Sequence, residues 1–236
     1  MLTRLTDGAR NMGIEMSAAQ AEMFREYHGM LMEANAKMNL TRVPDDIAEA
    51  VDRNYLDSIA PIAGGLFRDA RSMADVGSGA GFPGIPLAIM LPHVEITLID
   101  ALGKRVKFLE DVIERLGLNA RAVHARAEEA GRKAELREQF DIVTSRAVAA
   151  MNILSELALP LVKVGGIMIA YKGPGWQEEI AGAKNALAKL GGRFRETLDA
   201  PIPGRDWQHT LVVIDKISAV SNQYPRRPGM PEKKPL

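Results

Sequence analysis

Apolar positions along the chain change their period near residue 66. Upstream they recur every three or four residues: Met23, Tyr27, Leu31 and Ala34 follow the capping-box pair Ser17 and Gln20 and predict an amphipathic helix over about 18–36. Asn39-Leu40-Thr41 breaks this stripe. Pro44 opens a second one through Ile47, Val51, Tyr55, Ile59 and Ile62, which Gly64-Gly65 stops. Residues 1–66 are therefore expected to form an N-terminal helical extension, a lid on the remainder of the chain.

From Ser72 onward short apolar runs alternate with helical patterns, the texture of a parallel sheet with crossover helices. The first strand ends at Val76 and a helix spans 84–91; the second strand covers 94–99 and ends in Asp100. The next helix buries Val106, Leu109, Ile113 and Leu116 until Gly117 ends it. Further strands are expected near 120–124, 140–144 and 167–171, with helices over 148–160 and near 176–190. The last two β-like runs, 193–198 and 210–214, have only a Pro/Gly-rich link between them and predict an antiparallel hairpin. Five βα units closed by such a hairpin describe an α/β domain over 67–220 with the Rossmann-like plan of the class I S-adenosylmethionine-dependent methyltransferases; dehydrogenase domains normally keep the sixth strand parallel. Residues 221–236 hold four prolines and the cations Arg226, Arg227, Lys233 and Lys234 against Glu232, a basic Pro-rich tail expected to form neither helix nor sheet interior.

Composition removes several function classes. With 236 residues, 47% hydrophobic and 25% charged, the chain can bury a sizeable core as one large domain plus an extension. Lys+Arg and Asp+Glu both number 30, so no global cationic field draws it to nucleic acid, and any such site is a local patch. The absence of cysteine excludes disulfides, thiolate metal sites and cysteine nucleophiles. His28, His93, His124 and His209 lack metal-ligand spacing and read as surface or core residues, so no metal is expected. No apolar leader and no run of about 18 apolar residues occur, so a cytoplasmic location with no membrane partner is expected.

The candidate chemistry lies between the first strand and its helix, at Met73 to Ile85. Gly77, Gly79 and Gly81 permit φ > 0 and close approach of a ligand, and Pro83 suits the first turn of a helix. Two patterns overlap there. Gly79-x-Gly81-x-x-Gly84 is the dinucleotide fingerprint, whereas Asp75-x-Gly77-x-Gly79-x-Gly81 is the acidic glycine motif of S-adenosylmethionine binding. Asp100, 19 residues after Gly81, can accept hydrogen bonds from ribose hydroxyls under either reading. Asp75 would sit badly beside a pyrophosphate but suits the ammonium of a methionine moiety, which favours the methyl donor.

Beyond the glycines, Asn39-Leu40-Thr41, Leu56-Asp57-Ser58, Asp75 to Pro86, Lys104-Arg105-x-x-Phe108-Leu109, Ala127-Glu128-Glu129, Thr144-Ser145-Arg146-Ala147, Lys172-Gly173 and Tyr224-Pro225-Arg226-Arg227-x-Gly229 occur in an order seen in one family. Over nearly its whole length, from about residue 20, the chain resembles the bacterial small-subunit (16S) ribosomal RNA guanine-N7 methyltransferases, also called glucose-inhibited division protein B. The resemblance implies an S-adenosyl-L-methionine site comprising Gly77, Phe82, Ala127, Glu128 and Arg146, to which the residue-level argument adds Asp75, Gly79 and Asp100. It also implies 16S ribosomal RNA or the small ribosomal subunit as partner of a monomer, with Lys172 on the strand rim and Arg226 and Arg227 in the tail as candidate RNA contacts. Many members carry a histidine where this chain has Asn54; Asp57-Ser58 reads equally as a site or as a helix-surface pair.

Guanine N7 has an in-plane lone pair and needs no deprotonation, so direct in-line transfer requires no general base, and no catalytic side chain is expected. The sequence is consistent with this: the Asn/Asp-Pro-Pro-Tyr motif of amino-methylating enzymes is replaced by Thr144-Ser145-Arg146-Ala147, and the cysteine that pyrimidine-C5 enzymes need is missing. A methyltransferase of the same fold acting on a small molecule or protein, and an NAD-dependent oxidoreductase, are the alternatives.

Overall fold

The computed structural model describes the whole chain except Asn39, Arg42, Asp45, Gln208 and the side chain of Met38, so Asn39 of the Asn-Leu-Thr motif lies outside the described residues. The N-terminal part comprises α1 (Leu2–Asn11), α2 (Ala18–Met38) and α3, a continuous helical segment of changing pitch. In α3 an α turn over Ile47–Ala50 widens to π geometry over Val51–Leu56, returns to α over Asp57–Ile59 and tightens to a 3-10 turn over Ala60–Ile62.

The sheet has seven strands in the order β3-β2-β1-β4-β5-β7-β6. Its parallel part is β1 (Ser72–Val76), β2 (Glu95–Asp100), β3 (Ala120–His124), β4 (Phe140–Arg146) and β5 (Val162–Lys172). The closing hairpin is β6 (Gly192–Asp199) and β7 (Thr210–Lys216), with β7 antiparallel to both β5 and β6, as the helix-free Pro/Gly link predicts. The crossovers are α4 (Gly84–Met90), α5 (Gly103–Leu116), α6 (Ala127–Ala130), α7 (Met151–Ala158), α8 (Trp176–Gly182) and α9 (Lys184–Lys189), and α10 (Met230–Lys233) lies in the tail.

Strand alternation sorts the core into two layers. Met73, Ile96, Leu98, Ile169 and Val213 face α1 to α3 through Leu5, Phe24, Tyr27 and Tyr55. Ala74, Val76, Val143, Met168 and Val212 face the other side with Leu154, Leu187 and Tyr224. The first 66 residues, expected as a lid, thus share a core with the sheet. They also brace the glycine loop and the helix after it: the Tyr27 hydroxyl donates to the Ala80 carbonyl at 2.6 Å, and Gln20 Nε2 donates to the Ile89 carbonyl in α4 at 3.0 Å.

Four differences from the sequence-based expectations have local causes. Helix α1 has no long apolar stripe; its buried face is Leu5, Gly8 and Ala9, and a Cβ on Gly8 would lie 2.4 Å from Leu56, so close approach replaces bulk. The single helix expected near 176–190 is two, broken after Gly182. Pro83 is the N-cap of α4, one residue ahead of the expected first-turn place, and its peptide bond with Phe82 is cis. The tail contains α10, with Pro231 in its first turn, where a missing N–H is tolerated.

Candidate active site

The loop after β1 takes the backbone form its glycines allow, with φ of 73° at Gly77, 59° at Gly79 and 107° at Gly81. The N–H groups of Gly77 and Ser78 both donate to the Ile99 carbonyl, at 2.9 and 3.1 Å, which fastens the loop to the end of β2. A Cβ on Gly79 would meet nothing closer than 3.9 Å, so the space above it is open to a ligand.

Two carboxylates support this loop. Asp100, at the end of β2, accepts the Gly79 N–H at 2.8 Å through Oδ2 and the Leu102 N–H at 2.9 Å through Oδ1. Asp75 is fully buried beneath the loop and accepts the Gly84 N–H at 3.2 Å and the Thr144 hydroxyl at 3.1 Å. Burial pushes its carboxyl up to about 6 against those bonds. The carboxylate expected to meet a ligand ammonium therefore faces inward and holds the start of α4.

Ala127 opens α6 just past β3, and Glu128 beside it is buried, its Oε1 accepting the Gly229 N–H at 2.8 Å. The C-terminal tail is thus tied to α6 beside the end of β3. Arg146 ends β4. Its guanidinium lies 5.1 Å from the Phe82 ring centroid and donates to the Arg53 carbonyl and to Asp57 Oδ2, both at 2.9 Å. Gly77, Gly79, Phe82, Asp100, Ala127, Glu128 and Arg146 are thereby gathered along the C-terminal ends of β1 to β4, where open α/β sheets bind ligands.

Next to this cleft, at the ends of β4, β5 and β7, lies a cavity of about 490 Å³ whose wall includes Asp57, Arg146, Val148, Lys172, Glu179 and His209. Val148 separates the two spaces: a Cβ on Gly77 would come within 2.6 Å of it. Ala147 before it has φ 56°, a strained conformation for a residue with a side chain, at the bend that turns β4 into the cavity wall. His209 Nδ1 pairs with Asp57 Oδ1 at 2.7 Å, and its ring stacks with Trp207 at 6.0 Å. Asp57 therefore stands between Arg146 and His209. The Tyr171 hydroxyl, buried below them, donates to the Ser58 carbonyl at 2.7 Å. Asn54, where many resembling proteins have histidine, is buried with its Nδ2 unpartnered among the described residues.

The three expected RNA contacts lie in different surroundings. Lys172, expected on the strand rim, is in the cavity wall, with Nζ donating to the Ala149 carbonyl at 2.8 Å and to Glu179 Oε2 at 2.6 Å. Arg226 is committed to the fully buried Glu156, donating from Nη2 at 2.6 Å, from Nε at 2.9 Å and from its backbone N–H at 2.8 Å. That anchoring takes it out of the expected phosphate track, while Arg227 beside it is exposed. Sequence patterns do not single out His209 or Glu179 as site residues. His209 meets Asp57 across 152 positions, which local spacing cannot signal.

Among the described residues, no group of His, Cys, Asp and Glu could hold a metal ion, and no helix is long and apolar enough to cross a membrane.

A family described as rRNA small subunit methyltransferase G matches residues 20–200. Ribosomal RNA small subunit methyltransferase G of Lactobacillus johnsonii is 46% identical over 227 residues, covering 95% of each chain. The protein of the same name from Clostridium perfringens is 45% identical, covering 96% of this chain and 95% of that one. The fold is shared more widely: a Bacillus cereus O-methyltransferase in complex with SAH superimposes with a TM-score of 0.56 at 16% identity, over 92% of this chain and all of that one. With the glycine loop, the closing hairpin and these full-length likenesses together, the chain belongs to the rRNA small subunit methyltransferase G family.

Proposed function

We propose that this protein transfers a methyl group from S-adenosylmethionine to N7 of a guanine in small-subunit (16S) ribosomal RNA. The observation that carries the reading is the open glycine loop beside a charged cavity, with Val148 lining the cavity and packed against Gly77, in a chain of this family. The residues fit the donor. Gly79 leaves room for it, Gly77 lets the loop backbone lie against Val148, Asp100 stands at the end of β2 where ribose hydroxyls come, and Ala127 and Glu128 stand where an adenine edge comes. Phe82 offers an apolar face, and Arg146 behind it offers a cation for the methionine carboxylate.

When bound, S-adenosylmethionine would supply a methyl group on a sulfonium, an electrophile that the N7 lone pair could attack directly, the electron pair of the S–CH3 bond staying on sulfur. The protein's part is placement: the cavity wall holds the purine so that N7 points past Val148 toward the loop. The Asp57 carboxylate, fixed between Arg146 and His209, lies on the side where the purine gains positive charge. No group on this path has to remove a proton. The protein is taken to act as a monomer in the cytoplasm, the compartment of bacterial ribosomal RNA. Mapping N7-methylguanosine on small-subunit RNA from cells with and without the gene tests the proposal; an unchanged map would sink it.

A further inference from the structure

Lys172 and Glu179 form an ion pair on the cavity wall that the donor site does not use. Lys172 projects from the end of β5 with only 9% of its side chain exposed, and Glu179 reaches it from α8. An ammonium has three N–H donors. Two are spent on the Ala149 carbonyl and Glu179 Oε2, and one is left. Glu179 Oε2 accepts both Lys172 and the Met151 N–H at 2.9 Å, while Oε1 accepts no hydrogen bond among the described residues. The wall thus presents one spare cationic donor beside one spare carboxylate acceptor.

We infer that this pair reads the base: the spare Lys172 N–H donates to guanine O6, and Glu179 Oε1 accepts guanine N1–H. The inference rests on the proposed guanine methylation and names the residues that select the base. Around the purine ring N7 is followed by O6 and then N1–H; on the wall Lys172 Nζ bonds both the carbonyl of Ala149, the residue after Val148, and the carboxylate of Glu179, so it links the two. Adenine carries a donor at position 6 and an acceptor at N1, so it meets both groups with the wrong sign. A site whose polar groups are left unpaired by the wrong base rejects it strongly. As methylation places positive charge on the ring, N1–H becomes a stronger donor and its bond to Glu179 tightens toward the transition state, whereas O6 becomes a weaker acceptor. The two residues therefore separate kinetically.

The test is steady-state methyl incorporation into small-subunit ribosomal RNA prepared from cells lacking the gene. Glu179→Ala should lower kcat, and Lys172→Met should raise KM, each by about 10- to 100-fold in kcat/KM, with S-adenosylmethionine affinity unchanged. In the wild type, guanosine monophosphate should compete with the RNA at lower concentration than adenosine monophosphate, and the difference should vanish in both variants. An unchanged rate in either variant, a parallel loss of donor affinity, or equal competition by the two nucleotides in the wild type would overturn the base reading. A wild-type protein that methylates no guanine would instead overturn the proposed function itself.

Discussion

The cleft over β1 to β3 and the cavity over β4, β5 and β7 stand side by side and are built in opposite ways. The cleft is made mostly of backbone: positive-φ glycines, amides fastened to the Ile99 carbonyl, and two carboxylates that brace the loop. The cavity is made of side chains from distant segments, held in pairs such as Asp57 with His209 and Lys172 with Glu179. A ligand shared by many enzymes can be held by a generic backbone corner, whereas a particular base needs particular side chains.

Gly79→Val should break the cleft alone and have the largest effect. A β-branched residue at φ 59° projects into the open space, so S-adenosylmethionine binding should vanish in calorimetry while the fold loses only about 1–2 kcal/mol. Arg226→Ala comes next, because it leaves the fully buried Glu156 without its cation. A loss of about 3 kcal/mol in urea unfolding is expected. Stability untouched by that change would restore Arg226 to the RNA contacts.

Asp75 sharpens the comparison through pH. Its folded carboxyl is raised to about 6 by burial, above its ordinary value, so its contribution to stability is complete at low pH and is lost as pH rises through about 6. Asp75→Asn should lack that decline, so the stability difference between wild type and variant should change by about 3 kcal/mol at most across pH 4–7. A constant difference would mean the carboxylate titrates as it does in the unfolded chain. The smallest effect belongs to Arg227→Ala. One exposed cation near a phosphate track should reduce the salt slope of RNA binding by about one, with stability and donor affinity unchanged.

The same division decides what the sequence could reveal. Strand runs, the helix-free link between β6 and β7 and the loop glycines are local patterns, and each is present in the structure. Family motifs brought Arg146 and Phe82 to one place, 5.1 Å apart. Local patterns misdirect where long-range pairing decides. Asp75 carries the expected spacing but is turned under the loop by Gly84 and Thr144, and Arg226 sits in a basic tail but belongs to Glu156, 70 positions away. Helix α1 gives no long apolar stripe because its contact is made by one large residue, Leu5, with the small Gly8 and Ala9.

The separation of donor cleft from base cavity is tested most directly at His209, which lines the cavity and, among the described residues, shares no hydrogen bond with the glycine loop. The measurement is calorimetric titration of S-adenosylmethionine into a His209→Ala protein whose methyl transfer to small-subunit ribosomal RNA has fallen. Wild-type donor affinity in that variant is the expected result. Donor affinity lost in step with methyl transfer would contradict the division.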